Sequence, residues 1–190
     1  GFSIGNKGYV GTGTSPTLRK DFWEYDPFIN SWTQRTDFGG TARAFAVGFS
    51  IGSKGYIGTG SITGGANGCV ADFWEWESDS NSLNYNIWIQ KTSFPGLPRY
   101  GSVGFVIGQY GYIGTGQGTG NQHLGDFWEW DQAIDKKKKK APFGGGPRIG
   151  AAGFALNGLG YIGAGNNGVH VKDLWSWNPT SNTWTQRLDF

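Results

Sequence analysis

Cysteine is nearly absent: Cys69 is the only one in 190 residues, so the chain forms no internal disulfide. Methionine is missing, and histidine is limited to His123 and His170. These two stand in different loops, with no His-x-x-His spacing and no Cys cluster, so no metal-ligand pattern is present. Charged residues make up 16%, below the usual quarter of a globular chain. The net charge of +2 takes its sign from five consecutive lysines at 136–140; outside them stand 11 basic against 14 acidic residues. A mildly acidic chain without a basic stripe lacks the electrostatic footprint of a nucleic-acid binder. No run of about 18 apolar residues occurs, which excludes a membrane-spanning helix. No signal-peptide pattern or initiator Met is present, and Gly1 falls in mid-pattern, so the expectation is a fragment of a longer chain.

What the chain has in abundance is glycine, 35 residues, and aromatics, with ten Trp and thirteen Phe. That much apolar surface argues against disorder and for short strands joined by tight turns. The aromatics recur in order. GFSIGNKGYVGTG begins at Gly1, GFSIGSKGYIGTG at Gly48, GFVIGQYGYIGTG at Gly104 and GFALNGLGYIGAG at Gly153, so the starts are 47, 56 and 49 residues apart. After each comes a block opened by Asp21, Asp72, Asp126 or Asp173: DFWEYD, DFWEWE, DFWEWD and DLWSWN. A lone Trp follows in SWTQRTDF, IWIQKTSF and TWTQRLDF, and Arg43, Arg99 and Arg148 introduce the next unit. Each unit thus holds four short strand-like runs punctuated by glycine turns. Four strands in about 50 residues is the period of a propeller blade.

The order of arginine, apolar strand, Gly-Tyr-Ile-Gly-x-Gly, variable loop, aromatic block and lone Trp resembles the kelch repeat, and it covers essentially the whole chain. The resemblance implies an all-β fold: a kelch-type β-propeller with about four four-stranded blades, part of a larger ring. The units run approximately over 1–38, 39–94, 95–143 and 144–190. The family's double glycine is here Gly-Thr-Gly or Gly-Ala-Gly, a style similar to that of kelch proteins of Bacteroidetes-type bacteria. An extracellular or cell-surface location is the expectation that follows. Structural roles are expected for Trp23, Trp74, Trp128 and Trp175, and for Trp32, Trp88 and Trp184, as fillers of the wedge between blades. Arg43, Arg99 and Arg148 are expected to bond between blades near the inner strand; the alternative is a ring of charge around the channel.

The lysine block keeps register with Ser31 to Arg35 and places Lys137 where Trp32 stands. A lysine is expected to leave a Trp-shaped wedge unfilled, and five like charges in a row repel. The leading expectation is that Lys136 to Lys140 stand as a cloning artefact or as placeholders for unidentified residues, and the alternative is a basic patch for an acidic lipid or polyanion; no function is assigned to the block.

No catalytic constellation emerges. Asp21, Asp72, Asp126 and Asp173 repeat at one position, as structural residues do. Cys69 has no histidine beside it, so the copper site of kelch-type galactose oxidase finds no counterpart. The Gly-x-Gly pieces lack the following helix that a dinucleotide site needs. No cofactor is expected. The variable loops remain, and loops on a rigid scaffold carry specificity. Candidate ligand-contacting residues are Arg19, Lys20, Asn67, Gln117, Asn121, His123, Asn166, Asn167 and His170. Their chemistry suits hydrogen bonding to a protein or glycan. The leading expectation is therefore a non-catalytic binding or scaffold module of an exported or cell-surface bacterial protein. The alternatives are the propeller portion of a carbohydrate-active enzyme with its catalytic residues elsewhere, or a structural subunit of a surface or secretion assembly.

Overall fold

A computed structural model describes residues 1–190. The fold is all-β, with only two single-turn 3₁₀ segments, Ala66–Gly68 and Thr119–Asn121. The first sheet holds β1 (Phe2–Ile4), β2 (Lys7–Gly11), β3 (Phe22–Asp26) and β4 (Ser31–Arg35). The second holds β5 (Val47–Ile51), β6 (Lys54–Gly58), β7 (Phe73–Glu77) and β8 (Trp88–Lys91). A two-residue strand β9 (Arg99–Tyr100) leads into the third sheet, whose strands are β10 (Val103–Ile107), β11 (Tyr110–Gly114), β13 (Phe127–Asp131) and β14 (Lys136–Lys139). Between β11 and β13, β12 (Gln117–Gly118) turns back to pair with β9. The fourth sheet holds β15 (Ala152–Leu156), β16 (Leu159–Gly163), β17 (Leu174–Asn178) and β18 (Thr183–Arg187). All four sheets are antiparallel meanders in sequence order.

The glycines explain the hairpins. Each first connection is a two-residue turn, as the pairs Ile4↔Lys7, Ile51↔Lys54, Ile107↔Tyr110 and Leu156↔Leu159 require. Gly5, Gly52 and Gly108 take φ near +60°, the type II′ pattern whose twist matches the strands.

The inner strands β1, β5, β10 and β15 lie side by side in that order, so the sheets follow one another in a propeller-like arc. No sheet has a core of its own. The apolar clusters sit between successive sheets. Tyr9, Phe22 and Phe38 of the first unit bury Trp76 and Trp88 of the second. Tyr56 and Phe73 bury Trp130 of the third. Tyr112, Phe127 and Phe143 bury Trp177 of the fourth, with Trp184 packed alongside. The indole of each following sheet meets the previous Phe edge-on, with Trp76 5.0 Å from Phe22, Trp130 5.0 Å from Phe73 and Trp177 5.0 Å from Phe127. Aromatic pairs of this geometry are favoured by the ring quadrupole.

Lys137 corrects the expectation drawn from its position. Its side chain is 2% exposed and lies in the wedge, with its ammonium 5.0 Å from the centre of the Phe73 ring. It donates to the Thr92 carbonyl, as Trp88 Nε1 donates to Thr36 O at 3.1 Å and Trp184 Nε1 to Ala141 O at 3.2 Å. The lysine thus reproduces the indole's contacts with one ring and one carbonyl. Burial pushes its pKa down to about 8, with Asp135 acting the other way.

Arg43, Arg99 and Arg148 are each about 1% exposed or less. Each donates two bonds to the Asp that opens the next block: Arg43 to Asp72 at 2.5 and 2.7 Å, Arg99 to Asp126 at 2.6 and 2.7 Å, Arg148 to Asp173 at 2.6 and 2.9 Å. Their guanidinium faces lie over Phe38, Phe94 and Phe143 at 4.7 to 4.8 Å. A Cβ on Gly96 would sit 2.5 Å from the Arg99 guanidinium, which explains the glycine beside each arginine. The same Asp accepts from an indole two residues on, Trp74, Trp128 or Trp175, at 2.7 to 2.8 Å. Each of these arginines is paired with a carboxylate, so none carries a free charge. No helix is long and apolar enough to cross a membrane.

Candidate functional site

The link into each inner strand bends sharply two residues after the arginine. Phe45, Gly101 and Gly150 occupy this bend with φ of 58°, 61° and 66°. Their backbones join the sheets, Gly101 N donating to Phe45 O and Gly150 N to Gly101 O, both at 3.0 Å. Two of the three bends use glycine, for which the left-handed region is free. The first uses phenylalanine, for which it costs about 1–3 kcal/mol. The other non-glycine residues in this region mostly recur from sheet to sheet, such as Thr12, Thr59, Thr115 and Ala164, and Asn30, Asn86, Asp135 and Asn182. Phe45 stands alone at its position and is 54% exposed.

The strained residue lines a cavity. Phe45, Tyr100 and Ile149 form an apolar floor, and Asn166 and His170 border it, enclosing about 400 Å³. The Phe45 and Tyr100 rings are 5.8 Å apart and inclined at 53°. The Tyr100 hydroxyl donates to the Gln117 side chain, and Gln117 Nε2 donates to Asn121 O at 3.0 Å, so the ring is braced from behind. The wall beyond Ile149 is a narrow loop. Ile149 and Asn166 exchange backbone bonds at 3.0 and 2.9 Å, and Asn166 is bridged in turn to His170. Asn166 Oδ1 accepts from Gly168 N at 2.8 Å, which leaves its amide group free of protein acceptors.

Of the candidates read from the sequence, Asn166 and His170 border this cavity directly, and Gln117 and Asn121 support it. The others lie apart. Arg19 folds back on the Ser15 carbonyl, and Lys20 is exposed beside it. Asn67 lies in the first 3₁₀ turn, which packs against the second. His123 borders a separate cleft with Leu97, Pro98 and Pro147. The Asn167 side chain is taken up by Val169 N at 3.4 Å. Sequence reasoning missed Phe45, Tyr100 and Ile149, because all three read as parts of an apolar inner strand. The signal was in the repeat alignment: an aromatic in register with Gly101 and Gly150.

No group of three or more His, Cys, Asp or Glu side chains converges in a metal-binding cluster. Cys69 donates its thiol to Ala66 O at 3.1 Å, and burial holds it in the thiol form. Glu24 is buried with Tyr9, Lys7 and Arg35 around it, and Glu75 with Tyr56 and Lys54. Burial and the adjacent carboxylates raise the pKa of Tyr9, Tyr56 and Tyr112. These are repeated polar clasps within sheets.

No protein-family model matches the chain, and no curated protein is similar to it in sequence. Solved structures do match its fold. That of YjhT superposes with a TM-score of 0.72 at 16% identity, over 90% of this chain and 52% of YjhT. The chain therefore spans about half the length of that protein.

Proposed function

We propose that the chain is a non-catalytic binding module: a kelch-type propeller segment of an exported or cell-surface bacterial protein that takes a glycan or protein partner in the Phe45 cavity. The single observation that carries this reading is Phe45 itself. Its backbone is strained where its two counterparts are glycine, and its ring is held in the open beside Tyr100. Strain kept at an exposed position marks function more often than packing. An apolar floor with a few hydrogen-bonding groups at its edge is the usual form of a small-ligand site. A sugar ring fits that form, its C–H face on Phe45 and Tyr100 and its hydroxyls toward Asn166 and His170. An exposed aromatic or proline side chain of a protein fits the same floor.

The test is a screen of glycans and peptides against the chain, followed by titration of the hits monitored by NMR. Saturable binding that shifts the ring signals of Phe45 and Tyr100, and that is lost in Phe45→Gly and Tyr100→Ala, supports the reading. Binding indifferent to both substitutions refutes the site. Turnover of a bound glycan by the chain refutes the non-catalytic assignment.

A further inference from the structure

Three of the four sheets carry a glutamate in the middle of the third strand: Glu24 in β3, Glu75 in β7 and Glu129 in β13. Its Oε2 is paired every time, by Tyr9 and Arg35 on Glu24, by Tyr56 and Lys91 on Glu75, and by Tyr112 and Lys140 on Glu129. Its Oε1 is paired only twice. Lys7 Nζ donates to Glu24 Oε1 at 2.6 Å, and Lys54 Nζ to Glu75 Oε1 at 2.8 Å. Each of these lysines opens the second strand of its sheet. In the third sheet Tyr110 opens that strand, its hydroxyl accepts only from Gln109 at 3.4 Å, and Glu129 Oε1 takes no hydrogen bond from the chain. The fourth sheet has lost both members, with Leu159 and Ser176 in the two places. Only the third keeps the carboxylate without its ammonium.

A cavity marks the missing side chain. In the second sheet Ile51, Lys54 and Glu75, with Gln132 from the next sheet, border about 330 Å³. The equivalent residues Ile107, Tyr110, Glu129 and Pro179, with Tyr112 and Thr180, border about 620 Å³. Gln132 accepts from the Tyr56 hydroxyl at 3.0 Å, whereas Pro179 in the matching place has no polar side-chain atom. The Glu129 side chain is 18% exposed, against 6% for Glu24 and 8% for Glu75, so this carboxylate is open to a ligand where the other two are closed. The cavity lies where the β10–β11 and β17–β18 turns approach each other. That is the opposite end of the sheets from the loops that border Phe45.

We propose that this cavity binds a primary alkylammonium group, which takes the place that Lys7 and Lys54 fill in the first two sheets. The ammonium donates to Glu129 Oε1, and its aliphatic stem lies against Ile107, Tyr110 and Pro179. A charge-assisted bond to a carboxylate partly withdrawn from water is among the stronger hydrogen bonds. The site is independent of the Phe45 cavity.

The test is titration of the chain with butylammonium chloride at constant ionic strength, which holds screening fixed. NMR follows the Tyr110 and Tyr112 rings and the Glu129 carboxyl carbon, and saturable shifts are expected. Butyltrimethylammonium carries the charge without an N–H and should bind on the order of 10-fold more weakly. Glu129→Gln should weaken butylammonium by about the same factor. Tyr110→Lys should abolish binding, because the lysine then closes the clasp as Lys54 does. Since lysine already holds that position in two sheets, circular dichroism should show this variant folded. A blocked Gly-Lys-Gly peptide identifies the source of the group: tighter binding than butylammonium assigns a lysine of a protein partner, and equal binding a free amine. Absence of saturation by either ligand below about 100 mM overturns the inference. So does binding that Glu129→Gln and Tyr110→Lys leave unchanged. A quaternary ammonium that binds as well as the primary one also overturns it, since the tyrosine ring and not the carboxylate would then hold the cation.

Discussion

Lys137 offers the most direct test of how the wedge between sheets contributes to stability. Its ammonium is buried against Phe73 and Trp130, with the Thr92 carbonyl and Asp135 as its polar contacts. Its pKa falls from the ordinary 10.5 to about 8. A difference of about 2.5 units is about 3 kcal/mol in favour of the neutral form. The sign follows from proton binding. Between pH 8 and 10.5 the unfolded chain keeps the lysine proton and the folded chain releases it. The unfolded state binds more protons there, so this residue makes stability rise with pH across that window. Below pH 8 both states are protonated and the full cost is present. The natural comparison is Lys137→Trp, which restores the residue found at Trp88 and Trp184. Urea unfolding at pH 7 should show this variant more stable by about 3 kcal/mol, and by about 1 kcal/mol at pH 9.5. Taking the difference between the two proteins cancels Cys69 and the buried tyrosines, whose raised pKa values act oppositely in alkali. A stability difference that does not shrink between pH 7 and 9.5 would refute the argument, because the lysine would then not be desolvated in the wedge.

Phe45→Gly should raise stability by about 1 kcal/mol in thermal unfolding, since relief of left-handed strain outweighs the added freedom of the unfolded chain. The same variant should lose ligand binding. Arg99→Ala leaves Asp126 without its two charged bonds and should cost about 3–5 kcal/mol by urea titration. Arginine and indole bonds outweigh burial to hold Asp72 and Asp126 below the ordinary carboxylate range, and the Arg148 bonds do so for Asp173. Their stabilisation is present above about pH 4 and should be lost as pH falls further, so acid unfolding monitored by Trp fluorescence should begin there. Trp88→Ala should cost about 3–5 kcal/mol, whereas Trp32→Ala in this chain should cost under about 1 kcal/mol, because only the first is enclosed by a preceding sheet.

The repeat made the all-β class and four strands per unit legible before any coordinates. Glycine fixes hairpin positions locally, and an aromatic or arginine recurring every 50 residues or so must meet the same surroundings each time. Those are properties of the chain that hold wherever the unit sits. Three things needed the tertiary structure. Lys137 fills its wedge because a four-carbon stem reaches the Phe73 ring and a carbonyl set by a different sheet, and residue type alone does not reveal that reach. Phe45 reads as an inner-strand apolar residue until the bend at Gly101 and Gly150 shows its backbone left-handed and its ring outward. Trp32 and Trp88 are alike in sequence, and only the presence or absence of a neighbouring sheet makes one exposed and the other core. Local sequence determined the unit; position along the arc decided which copies of each residue are buried, which are strained and which are exposed.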